Sequence, residues 1–228
     1  MLRPRIMPCL LIHKNGLVKT IKFKDKKYIG DPINTVKIFN EKQVDELMVL
    51  DIDATIEGKA PNYNLIEKLA NESRMPLCYG GGIQSSEQAD KIFSLGIEKI
   101  SVSAAAIENP GLVNEISSMV GSQSVVVVLD IKKNLFGRYE IVTHNATIKT
   151  KNKLEDTIND LIERGIGELV INSVDNDGVM KGYDFSLLDR AYGASSVPLT
   201  VLGGAGSVSD IYSVIERYKI VGVAAGSL

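Results

Sequence analysis

Short apolar, β-branched runs alternate with longer amphipathic stretches along the whole chain, and that alternation predicts parallel strands joined by crossover helices. The strand-like runs fall at 5–12, 46–52, 76–79, 99–103, 124–130, 168–173, 198–202 and 219–225. Between them, hydrophobic positions recur at helical spacing over 32–40, 63–72, 86–95, 111–120, 154–164, 185–192 and 208–218, each long enough to recross a sheet. Eight strands and seven helices predict one α/β domain over residues 1–228, a (β/α)8 TIM barrel whose final helix is absent because the chain stops at Leu228. One segment departs from the pattern. Alternation around Gly137 and Asn145, within 134–150, predicts a small β excursion over the barrel mouth.

The two halves of the chain echo each other. Tyr79-Gly80-Gly81-Gly82 followed by Ser85-Ser86 resembles Leu202-Gly203-Gly204-Ala205-Gly206 followed by Ser207, and Leu50-Asp51-Ile52-Asp53 resembles Asn172-Ser173-Val174-Asp175. The spacings, 203 − 80 and 174 − 51, are 123 in both cases. Two (β/α)4 halves stacked head to tail predict a two-fold half-barrel pseudo-symmetry, and with it paired anion sites.

Composition narrows the function. A hydrophobic content of 44% over 228 residues suits one large core. A net charge of -2 and a pI near 5.8 offer no overall field for a polyanion, so neither nucleic acid nor a membrane is an expected partner. Neither a charged-then-apolar leader nor a run of about 18 apolar residues is visible, and a cytoplasmic location is expected. Cys9 and Cys78 sit inside strand-like runs and read as buried free thiols. His13 and His144 have no Cys or acidic residue at ligand spacing, so no metal site and no cofactor is expected.

Glycine-rich turns between a strand and a helix let backbone N–H groups converge on an anion, with the helix dipole behind them. The turns at 80–82 and 203–206 meet that description, and barrels commonly bind phosphate with the loops after the seventh and eighth strands, here 203–206 and 225–227. Asp51 and Asp130 each close an apolar strand, where barrel enzymes point acid–base groups into the mouth; the alternative role is to hold neighbouring loops. At the opposite end Arg5, Glu46, Lys99 and Glu168 stand where their strands begin. Two cations and two carboxylates converging on one axis predict an ion-pair ring across the floor, either a plain seal or a gate into the interior.

Arg5-Ile6-Met7-Pro8-Cys9-Leu10, Gly30-Asp31-Pro32, Asp45-Glu46-Leu47, Leu50-Asp51-Ile52, Gly80-Gly81-Gly82-Ile83, Asn109-Pro110, Val128-Leu129-Asp130, Asp175-Asn176-Asp177-Gly178, Gly182-Tyr183-Asp184 and Gly203-Gly204-Ala205-Gly206 together resemble the HisF family, the cyclase subunit of imidazole glycerol phosphate synthase. The resemblance runs over nearly the whole chain. It implies that a HisH-type glutaminase docks on the floor and that ammonia passes through the barrel to a substrate with two phosphates. By position it places the ammonia gate on Arg5, Glu46, Lys99 and Glu168. Phosphate contacts fall on Gly82, Ser103 and Ala104 at one end, and on Asp177, Gly178, Gly204, Ala225 and Gly226 at the other; Lys19 matches a position near substrate.

Two departures bear on the chemistry. The family's cyclase uses aspartates ending the first and fifth strands; the fifth-strand residue is Asp130, but the first-strand position is Leu11, which cannot exchange a proton. The family's Asn-Thr pair at one phosphate is Ser103-Ala104. Three readings follow. The first is a HisF-like subunit that forwards ammonia from a glutaminase without cyclising, like paralogues linked to sugar amidation in surface-polysaccharide synthesis, where a third, sugar-amidating enzyme consumes it. The second is a genuine cyclase of histidine biosynthesis in which Asp51 or Asp53 substitutes for the lost acid. The third is a non-catalytic scaffold for a glutaminase.

Overall fold

The computed structural model of the protein describes residues 3–226. The first half of the chain forms β1 (Arg5–His13), β2 (Gly16–Ile21), β3 (Lys24–Gly30), α1 (Pro32–Lys42), β4 (Leu47–Asp51), α2 (Tyr63–Glu72), β5 (Leu77–Gly80), α3 (Ser86–Ser94), β6 (Lys99–Val102), α4 (Ala104–Glu108) and α5 (Gly111–Val120). The second half forms β7 (Val125–Lys133), β8 (Tyr139–Thr143), β9 (Ile148–Lys149), α6 (Leu154–Glu163), β10 (Glu168–Ser173), α7 (Phe185–Ala194), β11 (Leu199–Leu202), α8 (Val208–Tyr218) and β12 (Gly222–Ala225). Strands β1, β4, β5, β6, β7, β10, β11 and β12 pair in parallel in that order, and β12 returns to β1. The predicted eight-stranded barrel is therefore closed, with helices around it.

Period-two alternation along each strand sorts side chains into two cores. Facing outward, residues such as Leu10, Ile12, Val127, Leu129, Leu169 and Ile171 join the helices in one annular cluster. Facing inward, Met7, Cys9, Met48, Cys78, Val126, Val128, Val170, Leu202 and Ala224 fill the lumen, with Leu11 and Leu50 packed above. The helices begin where the sequence supplies caps. Asp31 accepts from Asn34 N at 2.9 Å with Pro32 as the first helical residue of α1, and Ser85 and Ser207 accept from Gln88 N and Asp210 N, 3.3 Å each, at the starts of α3 and α8.

The excursion predicted after the fifth barrel strand is present as β8 and β9, and it is antiparallel to an extended β7. A second excursion was not foreseen. Residues 16–30 read as a loop in the sequence but form the β2–β3 hairpin, with β2 antiparallel to the end of β1. Its turns use Lys14-Asn15 (φ 49° and 64°) and Lys22-Phe23 (φ 52° and 64°), tight left-handed turns with no glycine at the left-handed positions. Strand β12 starts at Gly222 rather than at 219, because Lys219 ends α8 with φ at 61°.

The pseudo-symmetry is real in the backbone, at an offset one residue shorter than the sequence echo suggested. A Cβ on Gly81 would stand 2.4 Å from Asp51 O, and one on Gly203 would stand 2.6 Å from Ser173 O. These equivalent contacts, like the caps Ser85 and Ser207, are related by 203 − 81, 173 − 51 and 207 − 85, all 122.

Gly203 combines φ of +84° with that close carbonyl, so Gly203→Ala is expected to destabilise the fold by about 1–3 kcal/mol. Gly193, near the end of α7 with open space around it, should gain roughly 0.5–1 kcal/mol as Gly193→Ala. Urea unfolding of the two variants against the parent checks both signs.

Candidate functional site

At the floor, the four charged residues that begin β1, β6 and β10 and precede β4 meet as a closed ring. Arg5 donates to Glu46 Oε2 and to Glu168 Oε1, both at 2.7 Å. Lys99 Nζ lies 2.9 Å from a carboxylate oxygen of each. Thr200 adds a hydroxyl donor to Glu168 Oε1. Both glutamates are buried at 4% exposure, a state two carboxylates tolerate only when each is answered by cations from two sides. Burial alone would raise the Glu168 carboxyl, but the hydrogen bond and charge of Arg5, with Lys99 behind them, hold it below its ordinary range.

Above the ring, Met7, Met48, Cys78, Val126 and Val170 form an apolar layer one residue deep. Over it opens a cavity of about 370 Å³ that reaches from Ser101 to the mouth. Two buried polar atoms on its wall, Ser101 Oγ and Asn172 Oδ1, have no protein partner.

The same cavity gathers every residue the sequence assigned to phosphate: Lys19, Gly82, Ser103 and Ala104, with Asp177, Gly178, Gly204, Ala225 and Gly226. Ser227, the last residue of the third glycine-bearing loop, lies outside the described residues. The half-barrel offset maps Gly82, Ser103 and Ala104 onto Gly204, Ala225 and Gly226, so the two sets are one cradle occurring twice. Gly82 (φ +74°) and Gly204 (φ +134°) each have a backbone carbonyl at 2.5–2.6 Å from where a Cβ would be, so neither position accepts a side chain.

Asp130, Asp51 and Leu11 also line the cavity. Burial pushes the Asp130 carboxyl up to about 7, opposed by a 2.9 Å hydrogen bond from Asn172 Nδ2 and reinforced by the charge of Asp177. Asp51 is raised too, chiefly by burial, but its Oδ1 accepts from Asp53 N and Ala54 N at 3.0 and 3.1 Å, so it ties the turn after β4. Asp53 is engaged at the rim with His13 (2.8 Å), Lys14 N (2.9 Å) and Lys26 (3.1 Å). Leu11 pairs with Leu50 and Val18 in the sheet, so apolar side chains surround the position where a second acid was sought.

Asp177 has a structural duty beside its predicted one. It accepts from Thr20 Oγ1 at 2.7 Å and Phe23 N at 3.2 Å, which anchors the β2–β3 hairpin across the mouth and brings Val18, Lys19 and Phe23 to the cavity. Lys19 is thus a strand residue. From the other side the β8–β9 turn reaches over, and Asn145 Nδ2 donates to Ile52 O at 2.9 Å. That turn sets His144, Asn145 and Ala146 at φ 51–62°, placing His144 in the cavity wall; Asn145 signals the turn but not the direction in which His144 points. Among the described residues no group of three or more His, Cys, Asp or Glu is placed to hold a metal, and no helix is long and apolar enough to cross a membrane.

Residues 5–228 match the family model described as histidine biosynthesis protein. A protein of Leptospira borgpetersenii provisionally named imidazole glycerol phosphate synthase subunit HisF is 56% identical over 100% of this chain and 90% of its own length. A Pseudomonas aeruginosa relative, provisionally named as the same enzyme's subunit hisF2, is 48% identical over 100% of this chain and 91% of its length. The imidazole glycerol phosphate synthase subunit HisF of Natranaerobius thermophilus is 34% identical, over 100% and 90%.

Two measurements probe the site. Glu168→Ala should cost about 3–5 kcal/mol by urea unfolding at neutral pH, since it leaves Arg5 and Lys99 to share the single carboxylate of Glu46. Because the Glu168 pKa is depressed on folding, its stabilisation is complete above the ordinary value of 4.5 and is lost as pH falls through the lowered value, so parent and variant should converge in acid. By carbon NMR of labelled aspartate, Asp130 should titrate near 7, and Asn172→Ala should move that midpoint higher by removing a donor to the ionised form.

Proposed function

This chain belongs to the HisF family of histidine biosynthesis proteins, and from that premise we propose that it is the synthase-type subunit of a glutamine-dependent amidotransferase complex that forwards ammonia without cyclising a substrate. In this reading a HisH-type glutaminase docks on the floor. Ammonia enters past Arg5, Glu46, Lys99 and Glu168, crosses the lumen, and leaves at the mouth for an acceptor reaction on a phosphate-bearing molecule or a sugar, carried out by a third enzyme in the cytoplasm.

One observation carries the reading: the basal ring is intact in a barrel where the family's first-strand aspartate position is Leu11, which leaves Asp130 without that acid–base partner. Proton transfer by a positioned side chain supplies roughly 10²–10⁴-fold of rate, so losing half of a pair removes the chemistry before it removes binding. The lumen supports the route. An apolar layer over a charged ring passes neutral ammonia and refuses ammonium, whose desolvation there is costly, while Ser101 Oγ and Asn172 Oδ1 offer hydrogen-bonding stops beyond it. The numbered name of the Pseudomonas relative, hisF2, suits an additional copy beside a pathway enzyme.

The cyclase of histidine biosynthesis is a second reading, favoured by Asp130, whose pKa near 7 fits a general acid or base, and by the retained double cradle. Asp51 and Asp53 are poor substitutes for the missing acid, being committed to loop and rim contacts. A bare scaffold has no need of a matched ring of opposite charges whose burial is costly, which disfavours it.

With ammonium salts and the family's diphosphate-type ribonucleotide substrate, the parent protein should show turnover at least about 10²-fold below that of Leu11→Asp. Robust parental turnover rejects the forwarding role in favour of the cyclase. In the complex with its glutaminase, Lys99→Met should leave glutamine hydrolysis running while glutamine-driven amidation of the acceptor falls; unchanged coupling reduces the ring to a seal.

A further inference from the structure

The net charge of -2 conceals a sharp segregation. The two β excursions and their flanks, residues 14–30 and 132–153, hold 12 of the 26 Lys and Arg residues but only 2 of the 28 Asp and Glu residues, Asp25 and Glu140. Their balance, 12 − 2, is +10, whereas the rest of the chain, 14 − 26, stands at −12. Three of the twelve are neutralised locally, Lys26 by Asp53, Lys133 by Asp184 and Lys149 by Glu140; the other nine enter no ion pair among the described residues.

Both excursions stand on the mouth, and between their charges they expose apolar side chains. At the β7–β8 turn Leu135 is 102% and Phe136 89% exposed. That turn is not slack: Asn134 Oδ1 accepts from Phe136 N at 2.9 Å and Arg138 N at 3.0 Å, and Asn134 N donates to Arg138 O at 2.9 Å. Tyr28 on β3 and Ile148 on β9 are exposed as well. Rigidly presented aromatic and aliphatic groups on segments rich in like charge have the make-up of interface anchors within an electrostatic guide.

We infer that this basic, apolar-studded collar is the docking surface for the ammonia-consuming enzyme, a protein with an acidic rim around its active-site entrance, seated so that the cavity opens directly into it. The inference rests on the forwarding role proposed above. Ammonia released into water at neutral pH is protonated and ceases to be a nucleophile, so a barrel that delivers it needs its open end covered by the consumer. An anionic bilayer would match the charge and the exposed Phe136, but neutral ammonia dissolves through lipid and a lipid cover would leak it. The collar is continuous with the cavity that carries the nitrogen, which leaves a protein as the occupant.

The test begins with a photo-crosslinking amino acid at position 136 of the full chain in source cells, and at position 212 on the outer face of α8 as control. The expected result is one adduct at 136, absent at 212, with a protein that aminates its substrate from ammonium salts alone and, with the glutaminase–barrel complex, from glutamine. Reversing Lys22, Lys24, Arg138 and Lys151 to Glu should abolish the adduct and lower glutamine-driven amination at least about tenfold, while ammonium-driven amination and co-elution of the glutaminase stay unchanged. Adducts confined to the glutaminase, a second copy of this chain or lipid overturn the inference, as does sedimentation with phosphatidylglycerol vesicles in a Phe136-dependent manner without any protein adduct. Equal glutamine-driven rates for parent and reversal variant also overturn it. If instead the adduct forms and responds to charge reversal but no nitrogen passes from glutamine, the forwarding role fails and the docking surface stands.

Discussion

Four charges cannot be shut into the end of a barrel unless each is answered by the others, and the ring of Arg5, Glu46, Lys99 and Glu168 meets that condition by drawing on four different strand regions at once. Because its members come from widely separated parts of the chain, the ring can form only when the barrel closes in one register. It thereby couples the register of the sheet to the chemistry of the floor. The layer above is apolar and flexible in character, with two methionines, so that the polar seal and the dry lumen are separate devices stacked on one axis.

The mouth is organised on the opposite plan. There Gly82 and Gly204 stand in matching places on the cavity wall, and the two overhanging hairpins add Lys19, Phe23, His144 and Asn145. Burial that neutralises charge at the floor by pairing instead shifts protonation at the top, where Asp130 lacks a cation and rises to about 7. One environment fixes charges and the other leaves one free to change its protonation.

Barrel strands, helices and the basal ring were legible in the sequence because they follow from period-two and helical patterning and from charges placed at strand beginnings. So was the excursion around Gly137. The β2–β3 hairpin was hidden because Lys22-Phe23, which turns β2 into β3, carries no turn signature; Asn15-Gly16 at the preceding turn is a signal of the kind that marks hairpins and could have found it. For His144 the case differs: Asn145 marks the turn, but no residue type there says that the turn aims His144 at the cavity. The double duty of Asp51 and Asp177 is a matter of loop contacts that patterning does not encode. The charge segregation was lost in the total and emerged when the two hairpins were seen to share one face.

The offset of 122 residues makes the two glycine-lined ends of the cavity equivalent by rotation, so on backbone alone the cavity would be indifferent to which end of an elongated ligand entered which half. Polarity must come from what breaks the rotation. Asp177 stands where the other half has Thr55, and both front the cavity, so one pole carries a carboxylate and the other a hydroxyl. A molecule with unlike termini would be read by that difference together with the lesser one of Ser103 against Ala225, and exchanging Asp177 and Thr55 would weaken its preference for one orientation.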